Sequence, residues 1–319
     1  MRTWKLCLFA LLLAGCQPSK DQRPAKRVVG VVPKGANHIF WQTVHAGAIQ
    51  AAREFNLEVE WNAPTLEVDS SRQIEIVESM VNRRLAGIVL APVDRKALVG
   101  VVERAAQAEI PVAIFDSAID SSKRISYVAT DNEEGGRIAA RLAEAIGKRG
   151  KVGVISFMPG SASTEQRAHG FQDEIRQKFP EINIVGLQYG MADRAKAMAV
   201  TENILTAHPD LAGLFADNES SSSGAVQALK TRQARGVKLV AFDHAENLVE
   251  DLRAGVIDAL VVQNPFKMGY ESTRAIGLKL QGKTPPATID SGIALVRKAD
   301  LERPEIQEIL TPNLRKYLN

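Results

Sequence analysis

Two stretches of the sequence close in the same way. Ile110–Asp116 (IPVAIFD) and Val237–Asp243 (VKLVAFD) are each an apolar run ended by Phe-Asp. Runs of this length read as strands buried on both faces. In open parallel sheets, ligands bind beyond the carboxyl ends of the strands. Asp116 and Asp243 therefore stand where a bound molecule would be met, as does Asn218, just past the run Leu211–Ala216. Carboxylates in such places can accept hydrogen bonds from a ligand, cap a following helix, or act as a glycosidase pair whose outcome depends on their separation. Nothing else in the sequence supports catalysis. It contains no HExxH, Walker, GxSxG or GxGxxG pattern. The histidines His38, His45, His169, His208 and His244 show no metal-ligand spacing. The chain is expected to be a binding protein with no cofactor, not an enzyme.

Elements that would position these residues alternate along the chain. Strands are expected at Val28–Val32, Leu57–Trp61, Gly87–Leu90 and Ile110–Phe115. Between them run helical patterns: one over Val44, Ala48, Ala51, Ala52 and Phe55, one opened by Asp69 with Ile74, Val77 and Val81 on a face, and one over Lys96–Ala108. The alternation restarts at Ser126–Ala129. Asp131, with Glu134 three residues on, has capping-box spacing and opens a helix whose buried face carries Ile138, Leu142 and Ile146. Lys151–Phe157, Ile182–Gln188, Leu211–Ala216 and Val237–Phe242 read as strands. Helices over Ala162–Phe179 and Asp193–Ala207 stop near Pro180 and Pro209. Repeated βαβ units imply parallel sheets with helices on both faces. The paired Phe-Asp strand ends imply two similar α/β lobes facing one cleft.

The first residues differ in kind. Arg2 and Lys5 precede the apolar run Leu6–Ala14, which is too short for a stable membrane span and reads as a signal-peptide core. Leu13-Ala14-Gly15-Cys16 resembles a lipobox, which implies cleavage before Cys16 and lipidation of its sulfur. Residues 16–26 form a polar tether. Cys7 and Cys16 are the only cysteines, so the body has no disulfide, zinc-thiolate site or thiol nucleophile. Over 319 residues, 45% hydrophobic and 24% charged residues fit a folded protein, and a net charge of +3 leaves no footprint for nucleic acid.

The segments Asn37–Trp41, Val128–Asn132, Gln166–Phe171, Leu205–Asp210, Leu214–Asn218, Ala241–Asp243 and Val261–Asn264 occur in an order and spacing that carries a resemblance. The chain is similar to the ribose- and allose-binding branch of the type I periplasmic binding proteins, whose fold is shared with LacI-type repressor effector domains. The likeness runs from about Arg27 to about Val296. It implies two Rossmann-like lobes joined by three crossings, near Thr130, Gln263 and Asp290. The first lobe would hold residues 27–130 and 264–289, and the second residues 131–263 and 290–319. A signal peptide and tether stand where a repressor has its helix-turn-helix, so DNA binding is not expected.

The resemblance also implies a ligand set. Phe40 and Trp41 would cover an apolar sugar face; core packing at a helix start explains them equally well. Lys34 would donate to the sugar, and His38 stands where ribose binders carry asparagine. Asp116 and Asp243 would accept from hydroxyls, Arg167 would donate through its fork, and Asn218 and Gln263 would do both. Alternatives are a surface ion pair for Arg167 and a satisfied hinge amide for Gln263. Ala91 and Ser117 stand where ribose binders have asparagine and arginine, and Ala192 lies near the place of a third aromatic. These departures favour a hexose over ribose. The expected protein is a monomeric, lipid-anchored lipoprotein of the cell envelope that passes a monosaccharide to an ABC permease. A sensor subunit that shows its closed form to a chemoreceptor or kinase is the other reading. The Ser220–Ser223 run is expected to cap a helix.

Overall fold

The computed structural model describes residues 27–36 and 38–318. The expected signal peptide and tether, with Cys16, lie outside them. The chain runs β1 (Arg27–Val32), α1 (Ile39–Glu54), β2 (Leu57–Trp61), α2 (Ser70–Asn82), β3 (Gly87–Leu90), α3 (Val99–Gln107), β4 (Val112–Phe115) and β5 (Ser126–Ala129). It continues through α4 (Asn132–Ala139), α5 (Leu142–Ala145), β6 (Gly150–Ser156), α6 (Ala162–Lys178), β7 (Ile182–Tyr189), α7 (Arg194–Ala207) and β8 (Leu211–Ala216). It ends with α8 (Glu219–Thr231), β9 (Lys238–Phe242), α9 (Glu246–Ala254), β10 (Ala259–Gln263), α10 (Pro265–Leu280), β11 (Thr288–Asp290), β12 (Ile293–Val296) and α11 (Pro304–Leu310).

Two six-stranded sheets result, in the orders β11-β5-β4-β3-β1-β2 and β12-β10-β9-β8-β6-β7. The first is parallel throughout. The second departs from the expected all-parallel pattern at its edge, where β12 runs antiparallel to β10. That reversal follows from chain economy. Only two residues separate β11 in one sheet from β12 in the other, too few for a crossover helix. The chain passes between sheets after Ala129, after Gln263 and after Asp290. Thr130 Oγ1 and Ser291 Oγ lie 3.2 Å apart and tie two of these crossings together.

Both faces of each sheet are covered. In the first lobe Ile76, Val77, Met80, Leu98, Val101 and Val102 pack on one face, and Trp41, Val44, Ala48, Met268 and Ile276 on the other. The buried stripe of α2 is Gln73, Ile76, Val77 and Met80, rotated from the expected one, which leaves Ile74 and Val81 partly buried. Asp69 caps this helix by accepting from Arg72 N at 2.9 Å. α3 starts at Val99, three residues later than expected, because Asp94 holds the N–H groups of Lys96 and Ala97 in a turn.

The helix expected from Asp131 through Ile146 is two. Asp131 caps α4 as foreseen, accepting from Glu134 N at 2.9 Å. The helix then tightens at Ala140, whose N–H is shared by the carbonyls of Gly136 and Arg137, and α5 follows. α4 is pinned against α6 by glycines. A Cβ on Gly136 would strike the Arg167 carbonyl, and one on Gly170 the Glu133 carbonyl. The first lobe repeats the device, with Gly47 against the Phe266 carbonyl and Gly269 against that of Val44. α1 and α6, the helices that carry Trp41 and Arg167, are thus each seated backbone to backbone on a neighbour.

Candidate functional site

The carboxyl ends of the strands from both sheets meet at one cavity, lined from both lobes. Asp116 follows β4 and Asp243 follows β9, and the two have the same backbone. Each has a positive φ (62° and 69°), a conformation uncommon for a residue with a Cβ. Each N–H reaches the next strand over, to Val128 O at 3.0 Å and to Val261 O at 2.8 Å. Neither caps the helix that follows it: α9 has Ala245 at its N-cap, and β5 is the next element after Asp116.

All nine residues singled out in the sequence line this cavity: Lys34, His38, Phe40, Trp41, Asp116, Arg167, Asn218, Asp243 and Gln263. Phe40 and Trp41 serve both readings offered for them, since they are 6% and 4% exposed, belong to the core cluster under α1, and still face the cavity. Their rings meet edge to face, with centroids 4.8 Å apart. Lys34 Nζ lies 2.8 Å from Asp116 Oδ2 and donates across the cleft to Ser163 Oγ at 3.2 Å.

Arg167 is no surface residue. It is 2% exposed and makes no ion pair among the described residues. Its Nε donates to Asn132 Oδ1 at 2.8 Å and its Nη1 to the Asp217 carbonyl at 2.9 Å. The guanidinium lies over the Phe242 ring at 4.0 Å. Gln263 Nε2 donates to Asp243 Oδ1 at 2.7 Å, and Glu219 N donates to Asp243 Oδ2 at 3.1 Å. Burial pushes the Asp243 carboxyl above the usual range, with Arg167 and Gln263 working against it. Behind Arg167, burial raises fully enclosed Asp217 to about 7, against its bond from Ser156. Arg167 Nη2 and Gln263 Oε1, one donor and one acceptor, have no hydrogen-bond partner among the described residues. Gln263 is thus only half a satisfied hinge amide.

Asn218 does two things at once. It lines the cavity and caps α8, accepting from Ser221 N at 3.3 Å while donating to Ser220 Oγ at 2.9 Å. The Ser220–Ser223 run is therefore not the cap. It lies inside α8, where Ser221 and Ser222 donate to the carbonyls of Ser156 and Phe242 and rivet the helix to its sheet. Phe157 supplies an aromatic on the second lobe's wall, and Ala192 is not among the lining residues. Ser117 Oγ accepts from Ser163 N at 3.1 Å across the cleft.

Sequence reasoning missed Glu67, Phe157, Ser163, Thr164 and Glu219. Phe157 was within reach, since it follows the end of β6 just as Asp116 follows β4. Glu219 adjoins Asn218. Glu67 sits in an irregular loop with no periodic signal. Its Oε1 accepts from Trp41 Nε1 at 2.6 Å, and burial pushes its carboxyl up.

A model of the periplasmic binding protein domain matches residues 29–284. The D-ribose/D-allose-binding protein of Pseudomonas aeruginosa is 32% identical over 274 residues, covering 83% of this chain and 85% of that protein. The ribose import binding protein of Bacillus subtilis is 28% identical over 297 residues, covering 91% and 95%. Among solved structures, a carbohydrate-transporter solute-binding protein of Agrobacterium radiobacter in complex with D-arabinose superposes with a TM-score of 0.87 at 33% identity, covering 90% of this chain and 99% of that one. These relatives are binding proteins rather than enzymes, and the chain belongs to the periplasmic binding protein family.

Proposed function

We propose that the interlobe cleft captures a monosaccharide outside the cytoplasm and that the closed chain delivers it to an ABC importer. One observation carries this reading. A buried guanidinium nitrogen and a buried amide oxygen await partners in a cavity walled by Phe40, Trp41 and Phe157. A sugar offers hydroxyls that donate and accept, and C–H faces that aromatic planes cover. The relatives named above bind ribose, allose or D-arabinose, which points the same way.

Closure is the working step. The described form is closed: Lys34 reaches Ser163, Ser117 meets Ser163, and Arg95 N donates to Gly160 O at 3.0 Å. Sugar bound to both lobes would stabilise this form through contacts an open form lacks. Micromolar affinity needs about 8 kcal/mol, within reach of several charge-assisted hydrogen bonds and stacked aromatic contact after ordering costs. The lobe division at 27–130 with 264–289 and at 131–263 with 290–319 belongs to this reading. So do a preference for hexose over ribose, a monomeric state and a lipid anchor at Cys16.

A thermal-shift panel of D-allose, D-ribose, D-arabinose, D-tagatose and D-fucose tests the assignment, because a ligand that binds only the folded state raises apparent stability. The expected result is a shift with at least one aldohexose larger than with ribose. No shift across the panel sinks the sugar reading; a larger ribose shift sinks the hexose preference. Labelling with radioactive palmitate, lost in Cys16→Ala, tests the anchor.

A further inference from the structure

One stretch of cavity wall brings three titratable groups from the two lobes together. His38 precedes α1 and Glu67 lies in the loop before α2, both in the first lobe; Glu219 opens α8 in the second. His38 Nδ1 stands 2.9 Å from Glu219 Oε2, across the cleft, and 3.7 Å from Glu67 Oε1. Glu219 is braced from its own lobe by Arg194 at 2.6 Å and by Ser223 Oγ at 2.9 Å. Its side chain is 4% exposed. Among the described residues, the other charged contact between lobes, Arg95 with Glu165 at 3.8 Å, is largely exposed and screened.

We propose that His38 and Glu219 form a proton-dependent latch across the cleft, which favours the closed form while the imidazole is charged and makes Glu219 a determinant of ligand affinity. The ligand part of this inference rests on the reading of the cleft as a sugar site; the latch itself does not. The charged groups facing His38 are Glu67 from the loop before α2, Glu219 from α8 and Arg194 from α7. Lys34 and Asp116 line the same cavity but pair with each other. Burial alone would lower the imidazole's pKa. The 2.9 Å contact with Glu219 and the charges of Glu67 and Glu219 outweigh it and hold the value above the ordinary one. Burial likewise works to raise Glu219, yet His38 and Arg194 hold it below its usual range. Opening parts His38 from Glu219 and removes the main cause of the elevation. The closed form therefore binds the proton more tightly. Acid favours closure, and closure is lost as pH rises through the raised value.

The test begins without ligand. The His38 ring is titrated by NMR in the full chain, assigned by its loss in His38→Gln, and small-angle scattering is recorded at about pH 5.5 and about pH 8.5. Removing Glu219 should lower the midpoint in Glu219→Gln. Wild type should expand from the lower to the higher pH, and Glu219→Gln should not. His38→Gln should give the same pH-independent scattering by a route that leaves α8 intact. The dissociation constant for a sugar found in the panel should rise about tenfold over the same interval in wild type and stay level in Glu219→Gln. A midpoint equal in wild type and Glu219→Gln, or wild-type scattering independent of pH, overturns the latch whether or not any sugar binds. An intact latch titration with no sugar bound overturns the sugar reading alone.

Discussion

Asp116 and Asp243 occupy equivalent places in the two lobes, with matching φ and matching N–H bonds to the neighbouring strand, yet they are neutralised differently. Asp116 has a direct counter-ion, Lys34, from its own lobe. Asp243 has only neutral donors at hydrogen-bond distance, Gln263 Nε2 and Glu219 N, and acts on Arg167 through space. The first lobe therefore presents a self-contained ion pair and an aromatic wall. The second presents an incomplete network whose free valences, Arg167 Nη2 and Gln263 Oε1, call for a ligand. Duplicated backbone geometry does not duplicate electrostatics, because the counter-charge comes from a different element each time: the loop after β1 for Asp116, and α6 for Asp243.

If the second lobe carries affinity, Arg167→Ala should be the most damaging substitution. It orphans Asn132 Oδ1 and the Asp217 carbonyl, leaves two buried carboxyls without their nearest positive charge, and removes the free donor. Each unsatisfied buried group costs about 1–3 kcal/mol, so sugar affinity should fall more than about a hundredfold by calorimetry. Arg167→Lys should recover little, because an ammonium cannot reproduce the fork. An affinity within about threefold of wild type would erase the contrast between lobes.

For stability, of the two aspartates the first lobe's should matter more. Asp116→Asn strands a buried ammonium that is 4% exposed, and breaking a buried pair costs about 3 kcal/mol or more. Asp243→Asn removes a charge whose desolvation is already unfavourable, so its cost should stay near 1 kcal/mol. Urea denaturation measures both. Adding Lys34→Met to Asp116→Asn should restore most of the loss. Equal costs for the two aspartate substitutions would mean that the Lys34 pair contributes nothing particular.

The sequence revealed the lobes well and the site in outline, for reasons visible in particular residues. Buried strands such as Gly87–Leu90 and Leu211–Ala216 are continuous apolar runs, and their bounds could be read to the residue. Strand ends pointed to Asp116, Asp243 and Asn218 because sheet topology, not side-chain detail, brings those ends together. Pairings were illegible. Nothing near Ser117 announces that it meets Ser163, and nothing near Glu219 announces His38, since partners 46 and 181 residues apart meet only when the lobes close. The break between α4 and α5 was hidden because Ile138, Leu142 and Ile146 keep helical spacing across it.

A third contrast concerns pH. Asp217 in the second lobe keeps its proton to about pH 7, whereas an unfolded chain gives it up near its ordinary value. Between those limits the folded state binds the extra proton, so stability should decline as pH rises, by a few kcal/mol at most. Asp217→Asn, which cannot ionise, should make the melting temperature less sensitive to pH between about 5 and 7.5. In the first lobe the place after the equivalent strand, β3, is held by Ala91, which has no carboxyl. A wild-type melting temperature that climbs over this interval would contradict the assignment.

The smallest effect expected is at Ser117. Its hydroxyl accepts from Ser163 N, the first-turn amide of the helix that carries Arg167. In Ser117→Ala that amide loses its partner in the closed form but regains water on opening. The cost therefore falls on closure rather than on folding. One neutral hydrogen bond contributes about 0.5–1.5 kcal/mol, so sugar affinity should weaken about three- to tenfold, mainly through faster dissociation, while the melting temperature without ligand stays within about a degree. The same substitution thus distinguishes two tasks for the first lobe. Should Ser117→Ala leave affinity unchanged, that lobe acts only as an aromatic wall and ion pair, and lobe closure is governed elsewhere. A loss of stability without sugar would instead make Ser117 a packing residue of its own lobe.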